Sequence, residues 1–200
     1  MRQALNTNVT SAISKGFTLI ELMVTVAIAA ILLMVAVPSM VTFKRNAELT
    51  SATNNLLSAI NAARGEAMKR GMNAMVVPTN NGTDWNTGWV VFVDKNRTQA
   101  YDGSTDTTVS TQNALPNYFN VTGTNTAQAT PPYIMFDASG YPKIKAGGFG
   151  ALTLNLVRTD TTGSDVFAQT RRIMISLTGR ARTCTPASAT DSTCSAAGSE

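Results

Sequence analysis

The chain has 200 residues, of which 44% are apolar and 14% charged, and it carries a net charge of +4. This length fits one modest domain plus an appendage. The absence of histidine excludes His-containing zinc sites and Ser–His or Cys–His nucleophile pairs. Its aspartates are scattered and no Gly-rich phosphate loop is present, so we expect no enzyme, no cofactor and no metal site.

An apolar run extends over residues 17–37 and carries one charge, Glu21. As a helix, such a run is about 31 Å long, enough to cross the hydrocarbon core of a bilayer. A secretory signal is usually shorter, and its small-residue cleavage site follows the apolar run. Here the small residue Gly16 precedes the run, so cleavage after it would leave the helix on the mature chain. We predict a leader over 1–16 and a transmembrane helix over 17–40.

The carboxylate of Glu21 lies at membrane depth, where an acidic side chain costs at least ~2.5 kcal/mol. A charge at that depth needs a partner. Cleavage would create an amine on Phe17, four residues before Glu21, in the same chain or in a neighbour. The alternative is a shallow Glu21 that reaches the membrane interface.

The sequence "KGFTLIEL", beginning at Lys15, closely resembles the class III signal of type IV pilins and type II secretion pseudopilins. The resemblance implies that a prepilin peptidase cuts after Gly16 and N-methylates Phe17. It also implies that Glu21 neutralises the Phe17 amine of an adjacent subunit during assembly with other major and minor pilins. The chain would cross the inner membrane once, with its globular domain in the periplasm, before it enters a pilus or pseudopilus at the cell surface.

Apolar residues recur at three- and four-residue steps after Pro38, which predicts that the helix continues as an amphipathic segment over 41–71. Gly71 suits its end, and Lys69 and Arg70 suit its last turn. We expect the apolar face to pack against a sheet. Its residues are Leu49, Ala52, Leu56, Ile60, Ala63 and Ala67.

A β-rich globular domain is predicted over 72–183, with strands in "NAMVV", "GWVVFVD", "YIMFDASGYPKI", "LTLNLVR" and "RRIMISLTGR". The third of these blocks is expected to contain two strands joined by a turn over 138–140. In the last of these, alternation predicts Ile173, Ile175 and Leu177 on one face. The polar segment 97–130 is expected to be loop with one or two strands. The loop that begins at Asp94 departs from the EF-hand pattern, so we expect a turn there.

The two cysteines, Cys184 and Cys194, would close an 11-residue loop in a C-terminal tail, 184–200. In an exported protein this arrangement predicts a disulfide, which would add roughly 2–3 kcal/mol of stability in the chain-entropy model. The alternative is two unrelated thiols.

Two further blocks, "NAARGEAMKRG" and "WNTGWVVFVD", are similar to the signature of the GspH/FimT group of minor pilins and pseudopilins, and "FDASGYP" and "IMISLTGRAR" resemble its later strands. The implied fold is α+β and pilin-like: a long N-terminal helix, with a transmembrane first half, packed on an antiparallel β domain.

The segment 141–182 holds seven Lys and Arg against two Asp, a candidate footprint for a polyanion. Within it, "GRAR" puts Arg180 and Arg182 on alternate residues, which face the same way in an extended chain and suit phosphate. Gly179 would allow close approach of the main chain. The alternative is that these cations are solvated strand ends.

The "GRAR" element resembles the GRxR element of FimT-type minor pilins that bind DNA during natural transformation. This resemblance implies sequence-independent DNA binding by Gly179, Arg180 and Arg182. The patch would also include Arg171, Arg172, Lys143 and Lys145 if their strands lie alongside. Two alternatives remain: a minor pilin that primes pilus assembly without binding DNA, and a GspH-like pseudopilin of a type II secretion system.

Overall fold

A computed structural model describes residues 16–79, 82–163 and 165–195, apart from the side chain of Pro38. The chain divides into two compact units, Met1–Lys44 and Arg45–Glu200. Lys15, the first residue of the predicted signal motif, lies outside the described residues.

Helix α1 spans Leu19–Arg70, 52 residues, with Glu21 in its first turn and Lys69 and Arg70 in its last. These charges suit the helix dipole, which favours acids at the N-terminus and bases at the C-terminus. Within the first unit the apolar side chains of α1 are exposed. Among the described residues, α1 is the one helix long and apolar enough to cross a membrane. The predicted continuation of the helix through Pro38 is confirmed.

The part of α1 in the second unit buries one face, as its sequence pattern predicts. The helix ends at Gly71, whose φ of +64° lies in the left-handed region that glycine tolerates. The amide of Met72 then donates to the carbonyl of Ala67 at 3.3 Å. The buried face consists of Leu49, Ala52, Leu56, Ile60, Ala63 and Ala67, each at most 7% exposed.

The first sheet is antiparallel and has the strand order β3-β2-β1-β5-β6. Its central strands β1 and β2 are buried along their whole length, because one face of each packs in the core with α1 and the other face packs in a second, smaller apolar cluster. Strand β3 is an edge strand and is largely exposed. The bounds are β1 Ala74–Pro78, β2 Trp89–Val93, β3 Thr107–Gln112, β5 Ile134–Phe136 and β6 Pro142–Lys143.

The second sheet is also antiparallel and has the order β4-β7-β8-β9. A short helix, α2, Asp165–Ala168, precedes β8. Strands β8 and β9 form a hairpin in which Ile175 faces Ala181 and Met174 faces Arg182. The bounds are β4 Phe119–Gly123, β7 Leu152–Arg158, β8 Thr170–Ile175 and β9 Ala181–Cys184. The polar segment 97–130 thus contributes the two strands β3 and β4, together with a short 3-10 helix over Asn125–Gln128.

One apolar core joins α1 to both sheets. It contains the buried face of the helix and the inner residues of every long strand. Trp85 and Trp89 are among its largest fully buried side chains. The indole Nε1 of Trp85 donates to the carbonyl of Ala127 at 2.9 Å, so its polar atom is satisfied inside the core.

The predicted placement of Leu177 on the face of Ile173 and Ile175 is wrong. Strand β8 ends at Ile175, and residues 176–179 form the turn of the β8–β9 hairpin, where the amide of Gly179 donates to the carbonyl of Ser176 at 2.9 Å. Leu177 lies at this turn and is 46% exposed. The alternation of buried apolar residues therefore ends at Ile175, whereas the sequence pattern continues to Leu177.

A buried arginine ties α1 to the end of β7. Arg158 is 3% exposed and donates from Nε and Nη2 to the two carboxylate oxygens of Asp160, at 2.9 and 2.7 Å. Its Nη1 donates to Asn46 Oδ1 on the helix at 2.9 Å. Arg45, also on the helix, pairs with the same Asp160 at 2.5 Å. A buried guanidinium with its hydrogen bonds made in this way fixes the register between helix and sheet.

The pKa of the Asp160 carboxyl is held well below its usual range, chiefly by the hydrogen bonds from Arg158 and then by Arg45. A carboxyl with a depressed folded pKa stabilises the fold above its unfolded pKa of about 3.9, and this contribution is lost as the pH falls through the folded value. We therefore expect Asp160→Asn to lower the free energy of unfolding of the 45–200 unit at pH 7. The loss should be roughly 2 kcal/mol, because Arg158 loses its counter-charge.

Urea unfolding at pH 7, 4 and 3 measures this loss. The difference in the free energy of unfolding between wild type and Asp160→Asn should shrink below about pH 4, because the stabilisation from the wild-type carboxyl begins to be lost there. Asp165→Asn is a matched control, since Asp165 is an exposed carboxylate without a hydrogen bond or ion pair from its side chain to the described residues. Equal unfolding free energies for the two variants at pH 7 would contradict a stabilising role for the network.

Candidate functional site

The N-terminal candidate residues lie at the start of α1. Phe17 is 78% exposed, and Glu21 stands in the first turn of the helix. The hydroxyl of Thr18 accepts a hydrogen bond from the Glu21 amide at 3.3 Å, as a capping side chain does. Gly16 precedes these residues in a segment without helix or strand. A peptide bond at Gly16 is therefore outside regular secondary structure, and the carboxylate of Glu21 is near the helix end that favours it.

The "GRAR" residues lie at and after the turn of the β8–β9 hairpin. Gly179 has φ of +80° and is buried. A Cβ at this position would lie 2.2 Å from the carbonyl oxygen of Gly140, so no other residue fits without movement of the backbone. Gly140 ends a second turn, in which its amide donates to the carbonyl of Asp137 at 2.9 Å. The two turns are thus in contact, main chain against main chain.

The turn that begins at Asp137 is closed by its own side chain. Asp137 Oδ1 accepts from the amides of Ser139 at 2.9 Å and Tyr141 at 3.1 Å, which agrees with the predicted turn over 138–140. Asp137 Oδ2 lies 3.4 Å from the ammonium of Lys143. The acceptor capacity of this carboxylate is therefore already used locally.

Arg64, on the buried side of α1, joins the helix to both turns. Its Nε donates to the carbonyl of Gly140 at 3.0 Å, and its Nη2 donates to the carbonyl of Thr178 at 3.2 Å. The motifs and the charge pattern of the sequence do not single out this residue. A signal was present, because Arg64 is the one cation on α1 between Arg45 and Lys69 and lies next to the buried Ala63.

Arg180 is exposed and Arg182 is half-buried. In the register of β9, Arg182 stands opposite Met174, whereas Ala181 stands opposite Ile175 and faces the core. Alternation therefore directs Arg182 away from the core, onto the outer face of the second sheet. Arg180 precedes the strand, directly after the turn.

The two arginines of β8 lie on opposite faces of their strand. Arg171 donates from Nη1 to the carbonyls of Ala168 and Thr170, both at 2.9 Å, at the end of β8 away from the turn. Arg172 is 7% exposed and donates from Nη1 to the carbonyl of Cys194. Burial lowers the pKa of both guanidinium groups. The structure therefore does not bring Arg171 and Arg172 together with Arg180.

The two lysines belong to the first sheet and its outgoing loop. Lys143, on β6, pairs with Asp137 and also lies 3.8 Å from the centroid of the Phe149 ring. Lys145 lies 4.6 Å from the centroid of the Tyr133 ring, and burial lowers the pKa of its ammonium. Lys143 is thus attached to the turn that contacts Gly179, whereas Lys145 packs on an aromatic ring.

The disulfide between Cys184 and Cys194 is formed. The tail is held by more than this bond. Asp191 accepts hydrogen bonds from the amide of Ala187 and from the hydroxyl and amide of Thr193, among others, and these lower its pKa to about 2. Cys194 is 2% exposed, and its carbonyl receives Arg172. The tail therefore covers part of the outer face of the second sheet.

The described residues contain no group of three His, Cys, Asp or Glu side chains that could hold a metal ion. Asp94, which begins the loop that was compared with a calcium site, is 1% exposed. Its two carboxylate oxygens accept the amides of Thr98 at 3.0 Å and Gln99 at 3.1 Å. Both of its carboxylate oxygens are thus used as acceptors in a turn.

Comparison with known proteins gives two family matches. Residues 52–179 match the family model described as type II transport protein GspH, and residues 12–37 match the prokaryotic N-terminal methylation motif. No match is found among curated proteins.

The fold is also similar to solved structures. Two crystal forms of the type IV minor pilin FimU from Pseudomonas aeruginosa each align with a TM-score of 0.50 at 16% sequence identity. They cover 68% and 70% of this chain, and 91% and 90% of their own. The minor pseudopilin EpsH of the Vibrio cholerae type 2 secretion system aligns with a TM-score of 0.47 at 12% identity, over 70% of this chain and 99% of its own.

The contact between the two turns leads to a prediction about Gly179. We expect Gly179→Ala to lower the free energy of unfolding by roughly 3 kcal/mol, because the new Cβ adds left-handed strain and a collision with the Gly140 carbonyl. Gly147→Ala is the matched control, since Gly147 has a similar φ of +89° with open space around it. It should cost only about 1 kcal/mol. Denaturant unfolding of both variants measures the difference, and equal losses would mean that the Gly140 contact carries no energy.

Proposed function

The chain belongs to the GspH family of type II transport proteins, and we propose that it is a minor type IV pilin of FimT type, which assembles into a pilus and binds DNA through Arg180 and Arg182 during natural transformation. The family and the N-terminal methylation motif make it a minor pilin or pseudopilin. Proteins of this class are processed by a peptidase and assemble with other pilins. DNA binding is the further step, and it depends on the residues after the β8–β9 turn.

In this proposal a prepilin peptidase cuts after Gly16 and N-methylates Phe17, and Glu21 pairs with the Phe17 amine of a neighbouring subunit. All three residues lie inside the 12–37 motif match. Glu21 is the one acid in a run of apolar residues, where a carboxylate without a partner is costly. Before assembly the chain crosses the inner membrane once, with residues 45–200 in the periplasm.

The observation that carries the DNA-binding proposal is the exposed guanidinium of Arg180 on a fixed main chain. Gly179, the preceding residue, is buried against Gly140 and cannot move away from it without breaking the contact between the turns. A guanidinium presented from a rigid segment loses little conformational freedom when it binds a phosphate. Arg182, two residues on, adds a second cation near the turn. Such contacts go to phosphates, so we expect sequence-independent binding.

A second candidate function is that of a pseudopilin in a type II secretion system, or of a minor pilin that only primes pilus assembly. The family description, a type II transport protein, favours this candidate. It needs assembly through α1 but no affinity for DNA. Measured DNA binding therefore separates the two functions.

We expect the 45–200 unit to bind duplex DNA with an affinity that falls as salt rises, with log K decreasing by about 0.9 per log unit of salt for each phosphate contact. Arg180→Ala/Arg182→Ala should lose most of the affinity and should flatten the salt dependence by up to about two contacts. A titration of labelled DNA at four or more salt concentrations measures both quantities.

The matched control removes two other cations, Lys145→Ala/Arg171→Ala. Lys145 packs on Tyr133 and Arg171 donates to the carbonyls of Ala168 and Thr170, so their loss should leave the salt dependence unchanged. Equal effects of the two double variants would indicate general charge attraction and not a site. If the wild type shows no binding, the priming or secretion function is the better description.

Glu21→Ala should leave cleavage after Gly16 intact and block incorporation into filaments, because the peptidase acts before the carboxylate finds its partner in the assembly. Mass spectrometry of the mature N-terminus measures cleavage, and immunoblotting of sheared filaments measures incorporation. Thr25→Ala, a change one helical turn further along α1, is the control and should assemble normally. Normal amounts of Glu21→Ala in filaments would refute the docking role.

A further inference from the structure

The guanidinium of Arg64 is only partly used by the protein. It has five N–H donors in a planar fork. One on Nε goes to Gly140 and one on Nη2 goes to Thr178. Within the described residues no further hydrogen bond or ion pair satisfies the group, so three donors and a full positive charge remain. The Thr178 contact is on the exposed side of the group, which leaves solvent access to these donors.

This guanidinium lies directly against the "GRAR" turn. A Cβ built on Gly179 would be 3.1 Å from Arg64 Nε and 3.3 Å from its Cζ. Arg180 is the next residue, and adjacent Cα atoms are about 3.8 Å apart. The Arg64 guanidinium therefore lies beside the stretch of main chain from which the Arg180 side chain extends.

The local charge balance leaves this point positive. The carboxylate of the contacting turn, Asp137, is already shared among two amides and the ammonium of Lys143. Arginines that converge without a dedicated carboxylate repel one another, and an anion that bridges them removes the repulsion. A phosphate suits this role, because its oxygens can accept the paired N–H groups of a guanidinium.

We propose that Arg64 is a further phosphate-binding residue of this site, acting together with Arg180 and Arg182, in addition to holding the two turns on the helix. The site thus spans α1 and the hairpin. That the phosphate belongs to DNA rests on the proposed function. That Arg64 binds a phosphate is argued separately, from the unused donors of its guanidinium beside the "GRAR" turn.

The test uses the full chain in detergent micelles and three variants at α1. Arg64→Gln removes the charge, and Arg64→Lys keeps it but cannot bridge two carbonyls as a planar fork does. Lys69→Gln is the control for loss of one cation from the same helix. Lys69 is five positions on, about 140° around the helix, and it pairs with Glu66 at 3.3 Å. Each variant is titrated with duplex DNA over a range of salt, and its melting temperature is recorded.

We expect Arg64→Gln to weaken DNA binding several-fold and to reduce the slope of log K against log salt by about 0.9, the value of one phosphate contact. Arg64→Lys should retain most of the slope while its melting temperature falls, because the charge stays and the link between the turns is lost. Lys69→Gln should match the wild type. The proposal is overturned if both Arg64 variants melt lower but keep the wild-type slope, since Arg64 would then serve the fold alone.

A parallel titration with tripolyphosphate separates this proposal from the proposed function. If DNA does not bind but tripolyphosphate binds and Arg64→Gln abolishes that binding, the phosphate site stands and DNA capture is wrong. If DNA binds and the Arg64 variants change nothing in its salt dependence, DNA capture stands and the role of Arg64 is wrong. Absence of binding to either polyanion overturns both.

Discussion

The packing of one face of α1 against both sheets is the interaction on which the rest of the second unit depends. The inner residues of both sheets contribute to a single cluster with the helix. The helix side of that cluster is rich in alanine. Apolar burial supplies the energy, and the polar contacts of Arg158 and Arg64 add specific links between the packed elements.

These two arginines fasten α1 at two separated places. Arg158 reaches from β7 to Asn46, near the start of the part of α1 in the second unit, and Arg64 reaches from the helix to the turns before β6 and β9. Each link joins segments that are more than seventy positions apart in the chain. The turn that carries Arg180 is thus positioned by the helix, by Gly140 and by its own hairpin hydrogen bonds. Such a turn is a rigid support for a charged side chain.

Much of this architecture is visible in the sequence. The stripe from Leu49 to Ala67, the helix end at Gly71 and the apolar strands follow from periodicities of 3.6 and 2 residues, which are local properties. The identity of the Cys184–Cys194 pair follows from simple counting, since the chain holds two cysteines. The turn at Asp137 follows from the tendency of an aspartate to accept nearby amides.

The arrangement of the cations is not visible in the same way. Whether Arg172 points to solvent or beneath the tail depends on the register of β8 and on the path of residues 185–194, and neither is a local property. The exposure of Leu177 depends on the hairpin turn, which interrupts an apolar alternation that the sequence continues. The role of Arg64 is not predictable from the sequence, because its partners are two main-chain carbonyls and every residue has a main-chain carbonyl. Register and tertiary contact therefore decide which of the charged residues are available to a ligand.

The burial of Arg172 beneath the tail has a consequence for how the protein is handled and how it folds. Among the described residues, the carbonyl of Cys194 is the one hydrogen-bond acceptor that this guanidinium has, and its Nε is buried without a partner. A chain shortened to end at Cys184 would lose both this acceptor and the cover over Arg172, so the guanidinium would return to water and the outer face of the second sheet would open to solvent. Residues 185–194 therefore contribute to the stability of the second sheet, although they lie beyond its last strand.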